Sequence, residues 1–393
     1  MILTTQGGPV EYVAAALVVP QILIARSYLA KWRTEWPRLA FVAARFFLIL
    51  MWLVTLTGLC LTWSGALYST RFIPVGMRTG IVASAYFWIL LSSLATAIAG
   101  IFHILITRVP GLHSPARRRW LRAAAVTAIG IPAVAATRAV IVSRNQYRTR
   151  ELDLPVHGLH PDFEGFRIVQ VSDLHVSPFL SVREAGRVID MANELRPDLA
   201  VFTGDLISEL GDPLREAIRE LIRLRADLGV LGCMGNHETY VGCRNFLEAQ
   251  AGKAGLIFLR DKNTQIRRGQ GVLNIAGVDY QRKVAPGSYL PGAERLVMPG
   301  MPNILLSHNP DVFPSAIARG FQAVLGGHTH GGQVNVEILH QNINPARFRT
   351  PYVSGLYQLG NASCFVTNGV GTIGVPLRMG APAEIALLRL RRA

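Results

Sequence analysis

Hydrophobic and polar positions follow two different patterns along this chain, and the change falls near residue 150. Before it, four long apolar stretches alternate with short basic connections, at about 9–25, 39–62, 82–107 and 123–142. The first is short and carries Glu11 and Pro20, but the second and third are long enough to cross a bilayer as helices. Buried core helices are the alternative, which the near absence of acidic residues disfavours. We therefore predict a transmembrane region over 1–150, an N-terminal bundle of about four helices.

From residue 151 onward, short apolar runs end abruptly in polar residues, and helical patterns separate the first three of them. These three runs are FRIVQVSDLH, PDLAVFTGDL and GVLGCMGNHE, and later ones are VLNIAGVDY, NILLSHNP and AVLGGHTHGG. Short buried strands that carry polar residues at their C-terminal ends are how α/β sheets build sites. The pattern predicts an α/β domain over 151–393.

Composition and charge support this division. Half of the 393 residues are hydrophobic, and the mean hydropathy of +0.30 is high for a soluble protein. The formal net charge is +15, but 1–150 holds 16 Lys and Arg against two acidic residues, whereas 151–393 holds 24 against 23. A nucleic-acid footprint would place its basic excess on the folded domain. We therefore expect no nucleic-acid partner and interpret the excess as loops that face anionic lipid.

The basic residues also predict a membrane orientation. They concentrate in the connections 26–38 and 108–122, while 64–81 holds only Arg71 and Arg78. The positive-inside rule places the first and third connections in the cytoplasm. This predicts a multi-pass protein of the cell membrane with an extracytoplasmic C-terminal domain. The opposite orientation is favoured by Arg144, Arg148 and Arg150. The predicted orientation also depends on whether the first apolar stretch crosses the membrane.

The polar residues at the strand ends are all metal-ligand types or proton carriers. Carboxylate, amide and imidazole without thiolate suit a divalent metal such as Mn, Fe or Zn. The cysteines lack metal-type spacing, and a Cys233–Cys243 disulfide is one alternative to free thiols. Seven candidates exceed the needs of one ion and suit two ions that share a bridging carboxylate. The candidate ligands are Asp173, His175, Asp205, Asn236, His308, His328 and His330, and His237 lies beside them.

Five sequence blocks in this order resemble the calcineurin-like metallophosphoesterase superfamily over roughly 165–393. The blocks are DLH at 173–175, GD at 204–205, GNHE at 235–238, SHNP at 307–310 and GGHTHGG at 326–332. The tail NPARFRTPYVSGLYQLG, with VTNGVGTIGVPLRMGAPAEIALLRL, resembles a bacterial membrane-associated branch that contains YkuE-like and YaeI-like phosphoesterases. That branch includes relatives acting on UDP-diacylglucosamine in lipid A synthesis. The resemblance implies a four-layer α/β/β/α sandwich.

By this resemblance, two overlapping sets of four ligands hold two divalent ions, and Asp205 bridges them. The first set is Asp173, His175, Asp205 and His330, and the second is Asp205, Asn236, His308 and His328. His237 is implied to be a catalytic residue that is not a ligand and that either protonates the leaving oxygen or stabilises the charge of the phosphorane-like state. The expected activity is hydrolysis of phosphodiester, phosphomonoester or pyrophosphate bonds by a metal-bridging hydroxide. A membrane anchor favours a lipid-linked or cell-envelope substrate.

Two other functions stay open beside this hypothesis. One is a membrane scaffold or transporter-like protein whose domain binds metal without catalysis, and the other is a nuclease. The intact ligand set disfavours the first, and the near-neutral C-terminal domain disfavours the second. Arg347, Arg349 and Tyr352 lie close in sequence to the last two histidines, and they are either contacts to a substrate phosphate or part of a solvated loop. The sequence indicates no oligomeric state.

Overall fold

The computed structural model describes residues 37–63, 146–282, 288–338, 341–373 and 377–393, together with single positions between 22 and 124. The chain separates into two compact units, Met1–Arg138 and Ala139–Ala393. The assignment of 1–150 and 151–393 as domains stays a prediction, and the first described strand begins at Tyr147.

The first unit contains helix α1, Arg38–Trp63, which coincides with the second apolar stretch of the sequence. Its segment Phe41–Gly58 has a mean hydropathy of 1.9, and within the described residues it is the one helix long and apolar enough to cross a membrane. Leu39, Phe46 and Leu53 on this helix are exposed, as the side chains of a lipid-facing helix would be. The other three predicted spans lie outside the described residues except at single positions, so the bundle of about four helices stays a prediction.

The second unit is an α/β sandwich of two six-stranded mixed sheets. In the first sheet the order is β1-β14-β2-β3-β4-β5, where β14 runs antiparallel to β2 and the other pairs are parallel. Strand β3 reads LAVF and is buried throughout, as expected for the interior of a covered parallel sheet. The strands are β1 (Tyr147–Val156), β2 (Arg167–Val171), β3 (Leu199–Phe202), β4 (Val230–Gly232), β5 (Leu256–Phe258) and β14 (Ala383–Arg392).

The second sheet has the order β12-β13-β9-β8-β7-β6. Its three central pairings are parallel, and the two edge pairings, β12 with β13 and β6 with β7, are antiparallel. A separate hairpin pairs β10 (Val336–Ile338) with β11 (Gln341–Ile343). The sheet strands are β6 (Lys262–Arg268), β7 (Gly271–Gly277), β8 (Asn303–Leu306), β9 (Ala323–Gly326), β12 (Gly355–Leu359) and β13 (Ala362–Val366).

Alternating side chains divide the core into layers. Ile168 of β2 belongs to a buried cluster shared by the two sheets, whereas its neighbour Val169 belongs to a cluster with the helices on the outer face. A third cluster packs the outer face of the second sheet against α6. The described helices of this unit are α2 (Val182–Glu194), α3 (Leu214–Leu221), α4 (Asn236–Val241), α5 (Arg244–Gly252) and α6 (Phe313–Ala318).

Parallel strands bring the predicted site together. Strands β2, β3 and β4 are parallel neighbours in the first sheet, and β8 and β9 are parallel neighbours in the second. Parallel neighbours end at the same edge of a sheet, so the polar residues that follow them share that edge. Four of the five sequence blocks follow the ends of β2, β3, β4 and β8, and the fifth begins at the last residue of β9. In GNHE, Gly235 precedes α4 and the other three residues form its first turn.

Candidate metal centre

The first group of predicted ligands lies at the end of β2 and the turn after β9. His175 Nε2 lies 3.1 Å from His330 Nε2, and His330 Nε2 lies 3.4 Å from Asp173 Oδ1. His175 Nε2 also lies 3.5 Å from Asp205 Oδ2. All four side chains are buried. Nitrogen and oxygen lone pairs therefore converge on one small, protected volume.

The second group lies beside it and also includes Asp205. His308 Nε2 lies 2.9 Å from Asp205 Oδ2 and 3.1 Å from Asn236 Oδ1. His328 Nδ1 is 3.2 Å from His308 Nε2. Asp205 therefore contacts both groups through the same carboxylate oxygen, which is the position the resemblance gives to a bridging ligand.

Hydrogen bonds on the far side of two imidazoles fix which nitrogen faces the centre. His308 Nδ1 donates to the carbonyl of Thr203 at 2.7 Å, and His175 Nδ1 lies 3.2 Å from Ser208 Oγ. Such outer contacts orient metal-ligating histidines and select their tautomer. His330 Nδ1 is buried and has no hydrogen-bond partner among the described residues.

The backbone at these positions is strained. Five of the nine non-glycine residues with positive φ in the described part of the chain are predicted ligands. Left-handed backbone costs an ordinary residue about 1 kcal/mol or more, so its concentration here marks the site. The five are Asp173 (φ 54°), His175 (φ 47°), Asp205 (φ 60°), His328 (φ 71°) and His330 (φ 53°).

Glycines give this backbone the clearance that it needs. Gly204 has a φ of 94°, and a Cβ on it would lie 2.7 Å from the Cα of Gly235. A Cβ on Gly235 would lie 2.7 Å from the backbone nitrogen of Asp205. These distances are too short for side chains, so the loops after β3 and β4 approach closely because both residues are glycine.

Sequence reasoning missed Glu238, the last residue of the GNHE block. Its carboxylate is fully buried and accepts hydrogen bonds from the amides of Gly235 (2.7 Å), Asp205 (3.0 Å) and Leu206 (2.6 Å). It therefore ties the loop that carries Asp205 to the loop that carries Asn236. Burial, followed by the charge of Asp205, raises the pKa of Glu238.

Arg378 was also missed, because arginine in a loop is ordinarily exposed. Its guanidinium is fully buried and donates to the carbonyls of Asn368 (2.9 Å), Gly369 (3.2 Å) and Ala381 (3.0 Å). It also donates to the carbonyl of Gly371, and its Nη1 lies 3.5 Å from the carbonyl of His330. Since the Gly371 amide donates to the carbonyl of Asp173 at 2.7 Å, Arg378 supports the backbone behind the first group.

The electrostatics of the site favour bound cations. Burial lowers the pKa of His175 and of His328 to about 3 and that of His330 well below its usual range, so these imidazoles stay neutral at pH 7 with free lone pairs. Although burial opposes it, the carboxylates of Asp205 and Asp173 raise the pKa of His308 to about 10. Buried carboxylates that stabilise a positive charge, beside neutral imidazoles, form a donor set that fits divalent metal ions.

His237 lies at the edge of this cluster. Its Nδ1 is hydrogen bonded to the carbonyl of Ser208, and its amide donates to Asp205 Oδ1 at 2.9 Å. The rings of His237 and His175 meet edge to face with centroids 4.7 Å apart. The donor atoms of His237, His175 and Asp205 lie within 4.8 Å of one another, so the geometry also permits His237 to be a ligand. Its assignment as a non-ligand rests on the resemblance.

A cavity of about 470 Å³ opens onto the centre. Its lining combines polar groups of the site with apolar and basic side chains. Tyr280 is part of its wall, with its ring centroid 5.5 Å from that of His328 and 6.1 Å from that of His308. The lining residues are Asp205, Asn236, His237, Tyr280, Asn309, Pro310, Asp311, His328, Thr329, His330, Ala346, Phe348, Arg349, Thr350 and Ile373.

Asp212 holds the loop that carries Ser208 and makes folding stability depend on pH. Burial raises its pKa from 3.8 to about 6, although the amides of Glu209 (2.8 Å) and Ser208 (2.9 Å) donate to its Oδ2. The folded chain binds this proton more tightly than the unfolded chain, so the stabilisation is complete below about pH 4 and is lost as the pH rises through 6. Asp212→Asn keeps an acceptor oxygen and is expected to flatten the stability profile between these values.

Thermal unfolding of the full-length variant at a series of pH values checks this expectation. Asp227→Asn is the matched control, because Asp227 is exposed. Identical pH profiles for the two variants would contradict the role given to Asp212.

Comparison with known proteins agrees with this geometry. Residues 166–332 match the family described as "Calcineurin-like phosphoesterase". The chain is 32% identical over 235 residues to "Uncharacterized metallophosphoesterase YkuE" of Bacillus subtilis, which covers 58% of this chain and 80% of that protein. It is 28% identical over 232 residues to "Phosphodiesterase YaeI" of Escherichia coli, covering 57% and 82%.

A third relative is an animal protein. The chain is 32% identical over 260 residues to "Transmembrane protein with metallophosphoesterase domain" of Bos taurus, which covers 62% of this chain and 56% of that protein. The chain likewise aligns with 63% of the length of a relative from Danio rerio and 63% of one from Campylobacter jejuni, so it spans less than two thirds of these three relatives.

The two-sheet sandwich and its cluster of carboxylates and imidazoles define a metallophosphoesterase domain. The chain belongs to the calcineurin-like phosphoesterase family. The resemblance predicted from the five blocks is confirmed, and these relatives carry the names metallophosphoesterase and phosphodiesterase, which denote the class predicted for this chain.

Proposed function

We propose that this chain is a membrane-anchored phosphoesterase that works with two divalent ions and hydrolyses phosphodiester, phosphomonoester or pyrophosphate bonds. The observation that carries the proposal is the position of Asp205, whose carboxylate contacts His175 of one donor group and His308 of the other. Two ligand groups with one shared carboxylate suit a pair of ions better than a single ion. Mn, Fe and Zn are the candidates, because the donors are oxygen and imidazole nitrogen.

In this proposal the ions, when bound, supply a nucleophile at neutral pH and neutralise phosphate charge. The residues of the chain orient the substrate and donate or accept protons. His237 borders the cavity, and the bond from its Nδ1 to the Ser208 carbonyl leaves Nε2 as the nitrogen that protonates the departing oxygen. Asn236 and His328, two of the predicted ligands, border the same cavity.

A membrane location supports the choice of substrate. Helix α1 has the length and hydropathy of a membrane span, and relatives from Bos taurus and Danio rerio are named transmembrane proteins. A domain held at the bilayer meets lipid-linked or cell-envelope phosphates at high local concentration. We propose such a substrate, a multi-pass anchor in the cell membrane and an extracytoplasmic domain over 151–393.

A non-catalytic metal-binding scaffold is the alternative, and one assay separates the two. Wild-type protein loaded with Mn²⁺ is expected to hydrolyse bis-p-nitrophenyl phosphate. His237→Ala is expected to lower kcat by about 10²–10⁴-fold, which is the usual contribution of a general acid. The Mn²⁺ content of the variant, measured alongside, is expected to equal that of the wild type. Unchanged turnover in His237→Ala would reject the proposed role of His237, and an inactive wild type that still binds Mn²⁺ would favour the scaffold.

A further inference from the structure

The segment Asn344–Val353, here named the strap, is fastened beside the metal centre at three points. The buried Asn344 donates through Nδ2 to the carbonyl of Gly331 at 2.9 Å. Thr329 Oγ1 donates to the carbonyl of Val353 at 2.5 Å. Both contacts join the strap to the segment that carries His328 and His330, so its position is coupled to that of two predicted ligands.

The third fastening lies in the middle of the strap. Thr350 is buried, and its hydroxyl donates to a carboxylate oxygen of Asp311, which borders the cavity. Its Oγ1 also accepts from the amide of Tyr352 at 3.0 Å. Ala346, Phe348 and Arg349, which line the cavity, therefore lie between contacts on both sides.

Between these fastenings the strap presents two side chains of opposite character to the cavity. Phe348 and Arg349 both line it, and the side chain of Phe348 is 92% exposed. Ile373, from another loop, lines the same cavity and is 37% exposed.

The three residues that the sequence singled out in this region lie in different environments in the structure. Arg349 borders the cavity, whereas Arg347 is exposed and is not among the described lining residues. Tyr352 packs internally, with its ring centroid 5.6 Å from that of Phe313 and 5.2 Å from that of Tyr357. Arg349 is therefore the residue of this trio placed to meet a phosphate in the cavity.

We propose that the strap is the substrate-recognition element of this phosphoesterase. Arg349 binds a non-bridging oxygen of the substrate phosphate, and Phe348 with Ile373 contacts the apolar organic group that stays attached to it. The proposal rests on the function proposed above and narrows it to phosphodiesters whose retained substituent is apolar. A guanidinium suits the first task because its parallel donors match phosphate oxygens. An exposed ring suits the second because burying it against an apolar group removes both from water.

Two substrates and two matched pairs of variants test the proposal in the full-length protein with Mn²⁺. Bis-p-nitrophenyl phosphate and methyl p-nitrophenyl phosphate share a leaving group and differ in the retained substituent. Arg349→Ala is expected to raise KM for both, and the inhibition constant of inorganic phosphate, by at least about tenfold, with a smaller effect on kcat. Arg347→Ala is expected to leave these constants at wild-type values, and Arg349→Lys to restore part of the loss.

Phe348→Ala is expected to act on substrate choice. Wild type should prefer the bis-p-nitrophenyl ester in kcat/KM, and Phe348→Ala should reduce that preference by about tenfold, the loss of one aromatic contact. Leu359→Ala, which removes an exposed apolar side chain of β12, is the control and should keep the preference.

Each result decides a separate point. Equal behaviour of Arg349→Ala and Arg347→Ala overturns the role of Arg349, and an unchanged ester preference in Phe348→Ala overturns the role of the apolar rim. A wild type that hydrolyses neither ester overturns the phosphodiester hydrolysis included in the proposed function instead. In that case calorimetric titration of the Mn²⁺-loaded protein with inorganic phosphate still tests the role of Arg349. The affinity for phosphate must then be lower in Arg349→Ala than in the wild type, and unchanged in Arg347→Ala.

Discussion

Asp205→Asn is expected to abolish hydrolysis of bis-p-nitrophenyl phosphate and to reduce the number of Mn²⁺ ions bound per chain. The substitution keeps the shape of the side chain and the oxygen that accepts from the His237 amide at 2.9 Å. It removes the negative charge that faces His175 and His308. Since loss of an outer-shell partner alone costs metal sites about 10–100-fold, loss of the shared carboxylate should lower kcat/KM by more than about 10³-fold.

Metal analysis and steady-state kinetics on the same preparation check this result. Asp190→Asn is the matched control, because Asp190 is an exposed carboxylate on α2 that pairs with Arg223. The control should retain wild-type metal content and turnover. An Asp205→Asn variant that binds as many ions as the wild type and stays active would show that this carboxylate does not bridge the two groups.

Arg378→Met is expected to cause the largest loss of stability. Methionine fills much of the same volume but leaves the carbonyls of Asn368, Gly369 and Ala381 without their buried donor. Each orphaned carbonyl costs about 1–3 kcal/mol, and such penalties are not additive, so we expect the free energy of unfolding to fall by about 3–5 kcal/mol. Because the same loop supports Asp173 through Gly371, metal affinity should fall as well.

Amide hydrogen exchange is the appropriate measurement for Arg378→Met. All six tryptophans of the chain lie before residue 150, so their fluorescence would report on the N-terminal region. Exchange should accelerate throughout β2, β13 and β14, and most strongly at Gly369 and Gly371. Arg267→Met, at an exposed position of β6, should leave exchange in these strands unchanged. Equal protection in the two variants would contradict the role of the buried guanidinium.

The sequence was informative wherever the relevant chemistry is local. Each candidate ligand directly follows an apolar run, so the ligands could be found without knowing how the strands pair. The prediction that they assemble followed from parallel strands ending at one edge, and the distances among Asp173, His175 and His330 agree with it. Their roles as ligands stay a prediction.

Other features depend on contacts between distant parts of the chain. Strand β14, at the C-terminus, lies between β1 and β2, and its own pattern of apolar residues does not say which strands it joins. Glu238 was visible in the GNHE block, but its three bonds to two loops appear only in the folded chain. The separation of Arg349 from Arg347 likewise depends on how the strap is fastened.

The left-handed backbone at five ligand positions has a consequence for the life of the protein in a cell. Each strained residue costs about 1 kcal/mol or more, and cations that bound only the folded domain would offset that cost through mass action. A shortage of divalent metal would then raise the fraction of chains that open and become substrates for proteases. Metal supply would set the abundance of this protein as well as its rate, and a starved cell would lose the enzyme itself.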